Sequence, residues 1–137
     1  MISETSLPGM NNEAVDSLIR TYGSHVDGVY GAWRFQLNSV LMYCITDEKH
    51  NRLRIIAPIA NVDELSDKVL RECLSANFDR TSDARYCIHD ETVWGAFIHP
   101  FDSLSEEQFQ SALLQVSSVA KNFGSSYSSG QLVFGGK

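Results

Sequence analysis

The sequence predicts an α+β fold, an antiparallel sheet covered by helices, in the order α-β-β-β-α-β-β-α. Three observations predict it. Apolar residues recur at helical spacing in three segments, at 12–22, 65–74 and 109–123. Short runs rich in Val, Ile, Tyr and Trp separate them. The turns between neighbouring runs are a few polar residues long, too short for the crossover that a parallel pair needs.

Residues 1–10 read as a flexible leader ending at Pro8-Gly9. Asn11 or Asn12 can cap a first helix, in which Val15, Leu18, Ile19 and Tyr22 form one stripe and Gly23 ends it. Gly28 to Gly31 reads as a glycine-punctuated connection. Three strands follow as a meander: Ala32 to Leu37, Val40 to Thr46 and Arg52 to Ile59. Asn38-Ser39 turns the first pair and the Asp47 to Asn51 loop the second. Asn61 to Glu64 has the pattern of a capping box opening a second helix, with Leu65, Val69, Leu70, Cys73 and Leu74 as its stripe. Ala84 to His89 and Thr92 to His99 read as a hairpin around Asp90-Glu91. Ser105 and Gln108 form a second capping box, with Leu104 and Phe109 as a hydrophobic staple. Phe109, Ala112, Leu113, Val116, Ala120 and Phe123 continue that helix to Gly124. The domain is thus 11–124. The remainder, 125–137, is a Ser/Gly-rich tail carrying Leu132-Val133-Phe134.

Turn lengths set the expected register. A two-residue turn pairs Leu37 with Val40, Phe35 with Met42 and Trp33 with Cys44. A four-residue loop at Asp47 to His50 pairs Cys44 with Leu53 and Met42 with Ile55. One face of the meander is then apolar throughout and belongs to the core. The other carries Ala32, Arg34, Gln36, Leu41, Tyr43, Ile45, Arg52, Arg54 and Ile56, with Arg34, Tyr43 and Arg54 in one row. Solvent-facing strand positions are usually more polar, so Arg34, Leu41, Tyr43, Arg54 and Ile56 are the candidate binding face. The competing reading covers this face with the chain's own tail or a helix. The second hairpin is apolar on both faces, with Cys87, Trp94, Ala96 and Ile98 on one of them.

The 137 residues carry 11 Lys+Arg against 17 Asp+Glu, a net charge of −6, and 43% are hydrophobic. That composition excludes disorder and counts against nucleic-acid or anionic-membrane partners. No secretory signal or membrane-length apolar run is present. Three widely spaced cysteines fit reduced thiols in a cytoplasmic protein better than a disulfide framework. Cys87-x-His89, joined by His99 or Cys44, would be a minimal zinc set. His89 and His99, however, lie roughly 20 Å or more apart along the hairpin at ~3.3 Å per residue, and only one close ligand pair exists. No metal site and no cofactor is therefore expected. No cysteine has a helix N-terminus or a third orienting residue beside it, and the glycines match no phosphate-binding loop. The sequence shows no catalytic constellation.

The element order, together with Leu65 to Phe78 leading into Asp83-Ala84-Arg85-Tyr86-Cys87-Ile88, then Thr92 to His99 and Phe101 to Phe109, resembles the type III secretion chaperone-like (CesT-like) fold, shared with the YbjN family. The resemblance implies a small, acidic, cytoplasmic homodimer that holds an unfolded effector segment on apolar patches and has no catalytic residues. It places the dimer interface on the second helix or nearby strands, implicating Leu65, Val69 and Leu70, whose stripe also suits core packing. The expectation is a non-enzymatic module for a protein or peptide client. Two alternatives stand beside it. One is a ligand-binding or regulatory domain, with Arg34 or Arg54 meeting an anion in a pocket between sheet and helices. The other is a small enzyme using Cys87 and His89.

Overall fold

The computed structural model describes residues 9–124. The tail with Leu132-Val133-Phe134, and the leader apart from Gly9 and Met10, lie outside the described residues, and so does the reading that the tail covers a sheet face. Met10 is buried in the core. The elements run α1 (Asn12–Tyr22), β1 (Ser24–Val29), β2 (Ala32–Leu37), β3 (Val40–Asp47), β4 (Arg52–Asn61), α2 (Asp67–Asp79), β5 (Arg85–His89), β6 (Thr92–Pro100) and α3 (Glu106–Lys121). All strands pair antiparallel in one six-stranded sheet, in the order β1-β2-β3-β4-β6-β5. The α+β class and the helix-on-sheet arrangement are as the sequence predicts.

The meander has four strands rather than three. The sequence assigns no strand before Ala32, but Ser24–Val29 form β1, which takes in the first half of the Gly28 to Gly31 stretch and pairs with β2 across a bulge between Ser24 and Asp27. Its residues Ser-His-Val-Asp-Gly-Val do not alternate, and the ladder to β2 holds it. At Gly28 (φ +145) a Cβ would lie 2.3 Å from the Ala32 carbonyl oxygen, so only glycine lets the two strands approach this closely.

The β2–β3 register is the expected one, with Leu37 opposite Val40, Phe35 opposite Met42 and Trp33 opposite Cys44. Asn38 and Ser39 both take positive φ (53° and 67°), as a two-residue hairpin turn requires. The β3–β4 register differs by two residues: Cys44 faces Ile55 and Thr46 faces Leu53. The loop here is 48–51, because Asp47 pairs with Arg52 and its carboxylate accepts the His50 amide at 3.1 Å. A slip of two preserves which side chains share a face. It does break the expected row: Arg34 faces Tyr43, which faces Ile56, while Arg54 lies opposite Ile45.

The second helix also starts later than expected. The Asn61 side chain accepts from the Asp63 amide and caps only a 3-10 turn at Val62–Glu64. Ser66, accepting from the Val69 amide at 3.2 Å, caps α2. Asn11 caps α1, and the Ser105/Gln108 capping box is formed on α3.

Helices α1 and α3 cover one sheet face. Val15 and Ile19 of α1 and Phe109, Leu113 and Val116 of α3 close over Trp33, Phe35, Met42, Leu53 and Ile55, all buried. At Gly95 a Cβ would come within 3.1 Å of Val119, so the missing side chain lets α3 sit close to β6. The buried Trp33 indole donates to Asp16 at 3.0 Å, and Arg20 donates to the same carboxylate at 3.1 Å. The indole hydrogen bond, with help from Arg20 and against a smaller push from burial, holds the Asp16 carboxyl below its usual range. A depressed folded-state pKa contributes stability that is present above the unfolded value, about 3.9, and lost as pH falls through the folded value. Stability should therefore fall on acidification below about pH 4. Asp16→Asn, which keeps an acceptor for the indole, should lose less over that interval; equal losses in urea melts at successive pH values would refute the assignment.

Candidate functional site

Among the described residues, no helix packs on the opposite sheet face. Strand alternation places Arg34 and Gln36 of β2, Leu41, Tyr43 and Ile45 of β3, Arg54 and Ile56 of β4, Trp94, Ala96 and Ile98 of β6, and Cys87 and His89 of β5 on this side. All five expected binding residues, Arg34, Leu41, Tyr43, Arg54 and Ile56, share it. They are not all at one spot. Arg54 and Ile56 line a groove of about 450 Å³, together with Ile45, Cys87, His89, Trp94, Ala96 and Ile98. Tyr43 flanks it, its ring edge-on to Trp94 with centroids 6.5 Å apart. Arg34 and Leu41 lie on the β2 side, outside the groove lining.

The groove exists because β6 lies beside β4, with Ile98 opposite Arg54 and Ala96 opposite Ile56. That adjacency crosses α2 in the chain, so turn lengths do not reveal it. The available signal was the second hairpin's apolar outer face. Ile45 is 40% exposed and Ile98 54%, high values for isoleucines in the middle of a sheet.

The edges of the sheet are guarded. Asn77 of α2 reaches the outer edge of β5, donating to the Tyr86 carbonyl at 3.0 Å and accepting its amide at 2.8 Å. The outward backbone groups of Tyr86, which an added strand would use, are occupied. At the other edge, β1 is bulged. A second apolar cluster lies beside β5, where Leu74, Phe78 and Ile88 are 69%, 92% and 57% exposed. Leu65 and Leu70 instead pack against the core.

Arg34 and Arg54 project from the helix-free face, so neither reaches a pocket between sheet and helices. The cysteine chemistry is weak as well. Cys44 and Cys73 are buried and Cys87 is exposed. Burial pushes all three thiols up, Cys73 to about 11 with help from Glu72. None is an activated thiolate. Native protein treated with a thiol reagent at mildly alkaline pH should take up one label, at Cys87, faster as pH rises; rapid labelling of Cys44 or Cys73 in intact-mass spectra would contradict this packing. Among the described residues, no three His, Cys, Asp or Glu side chains gather as a metal set, and no helix is long and apolar enough to cross a membrane.

No protein-family model matches the sequence, and no curated protein is a significant match. Solved structures do match. One chain in the crystal structure of the ExsC–ExsE complex superposes with a TM-score of 0.60 at 17% identity, over 82% of this chain and 92% of that one. One chain in the structure of the HopA1–SchA chaperone–effector complex superposes with a TM-score of 0.61 at 10% identity, over 90% of this chain and 98% of that one. The chain has a type III secretion chaperone-like fold. At such identities the likeness is one of backbone, and the function has to be argued from the surface.

Proposed function

We propose that this chain is a non-enzymatic, chaperone-like protein-binding module. It holds an extended or partly unfolded segment of a partner protein against the helix-free sheet face, and it works as a cytoplasmic homodimer. The observation that carries this reading is the largely apolar groove over β3, β4 and β6, with Ile45, Ile56, Trp94 and Ile98 presented together and Arg54 set among them. Aromatic and aliphatic side chains with an arginine among them are the composition of a recognition surface. Similarity to a chain from a chaperone–effector complex supports a protein client. The likeness to the YbjN family rests on the sequence stretches alone.

The exposed cluster of Leu74, Phe78 and Ile88 suits the second copy, leaving the sheet face for the client. Asn77 already holds the Tyr86 backbone at the β5 edge, which favours recognition on the face over strand addition there.

The test uses a permanently unfolded, reduced and alkylated model protein with light scattering to read mass. Wild-type protein should run as a dimer and retain the unfolded chain, and Ile56→Asp should remain folded and lose it. A strict monomer that retains nothing would end this reading.

A further inference from the structure

Charge is distributed unevenly over the molecule. The chain is acidic overall, at −6, yet four arginines occupy strand positions on the helix-free face: Arg34, Arg52, Arg54 and Arg85. Two of them are engaged locally. Arg52 donates to the Asn51 carbonyl, and Arg85 donates to the carbonyls of Ser82 and Ala84. The strand carboxylates on this face are Asp27, opposite Arg34, and Asp47, opposite Arg52; Asp47 is taken by His50 at 2.9 Å. Arg54 makes no hydrogen bond or ion pair among the described residues. It sits in the groove wall with Ile45 opposite on one side and Ile98 on the other.

An isolated guanidinium between two exposed isoleucines is ill suited to a purely apolar partner. Covering it without a counter-charge would strip its water and give nothing back. A carboxylate brought in between apolar side chains would meet it with a charge-assisted, bidentate hydrogen bond. In an extended segment, side chains at i and i+2 share a face, so a carboxylate and its apolar neighbours can enter the groove together.

We infer that the groove selects acidic apolar segments: an extended stretch of a partner protein in which an Asp or Glu stands two residues from an apolar side chain, the carboxylate pairing with Arg54 and the apolar groups bedding on Ile45, Ile56, Trp94 and Ile98. This rests on the protein-binding reading above and names the chemistry of its client.

The probe is a labelled peptide Leu-Ser-Glu-Ser-Leu-Ser-Glu-Ser-Leu, whose Leu and Glu share one face when extended, beside its Gln counterpart, titrated by fluorescence anisotropy into the full chain. The Glu peptide should bind wild type more tightly. Arg54→Gln should weaken it by about tenfold, the scale of one desolvated charge pair, and leave the Gln peptide nearly unchanged. Added salt should weaken the Glu peptide more than the Gln peptide. If Arg54→Gln moves neither peptide while Ile98→Asp abolishes both, charge selection is overturned and the protein-binding reading survives. If neither peptide binds but the unfolded model protein is still retained, charge selection is again overturned. If neither peptide nor model protein binds, both readings fall. A dimer that Ile98→Asp splits into monomers puts a second copy in the groove and also overturns the proposal.

Discussion

Phe35→Ala is expected to destabilise the fold by about 3–5 kcal/mol, the usual cost of emptying a fully buried aromatic site. Phe35 is completely buried at the centre of β2, opposite Met42. Its ring also packs where α1 turns into β1: a Cβ on Gly23 would sit 3.0 Å from the Phe35 Cδ2 atom. The site is walled by strand neighbours on one side and by this junction on the other, so collapse into the cavity is restricted. A domain of this size has about 5–15 kcal/mol in total, so the loss is a large share of it. The midpoint of thermal unfolding should drop by about 10–20 °C. Urea unfolding that shows a change under about 1 kcal/mol would mean that Phe35 is not the core residue described here.

Trp94→Ala is the second large effect, and it should appear in binding more than in stability. Trp94 is half-buried in the groove wall, edge-on to Tyr43, with its indole N–H donating to the His89 carbonyl at 3.4 Å. A large, rigid side chain at the centre of a recognition surface typically costs about 2–4 kcal/mol when truncated, a loss of about thirtyfold or more in affinity. Titration with the unfolded model protein gives the affinity, and a parallel urea melt gives the stability. Equal affinity for wild type and variant would remove the groove from the recognition surface.

Local chemistry made much of this fold legible in the sequence. The two-residue turn at Asn38-Ser39 sets the β2–β3 register, and Ser105 with Gln108 marks the start of α3. Face assignment survived an error in register, since the β3–β4 loop slipped by two and parity is all that sorts core from surface. What failed was non-local or contested between neighbours. Strand β1 has only Val26 and Val29 as apolar signals and exists through pairing with β2. At Asn61 a short turn to Asp63 competes with a helix cap, and the turn forms. Parity puts the five expected face residues on one side of the sheet, while the groove on that side is lined mainly from β4, β5 and β6. Ile98 comes to lie opposite Arg54 only after the chain has crossed α2 and β5, and no turn length encodes that step.

Cys87 reports most directly on whether a protein segment lies on the helix-free sheet face. It is the exposed cysteine of the three, and it lines the groove. The rate at which a small thiol reagent labels it should be measured with the protein alone and with the protein saturated by the unfolded model protein. Segment bound on this face predicts strong slowing of labelling at Cys87 that is relieved in Ile56→Asp. An unchanged rate in a complex shown by mass to be fully formed would place the segment elsewhere and contradict the account.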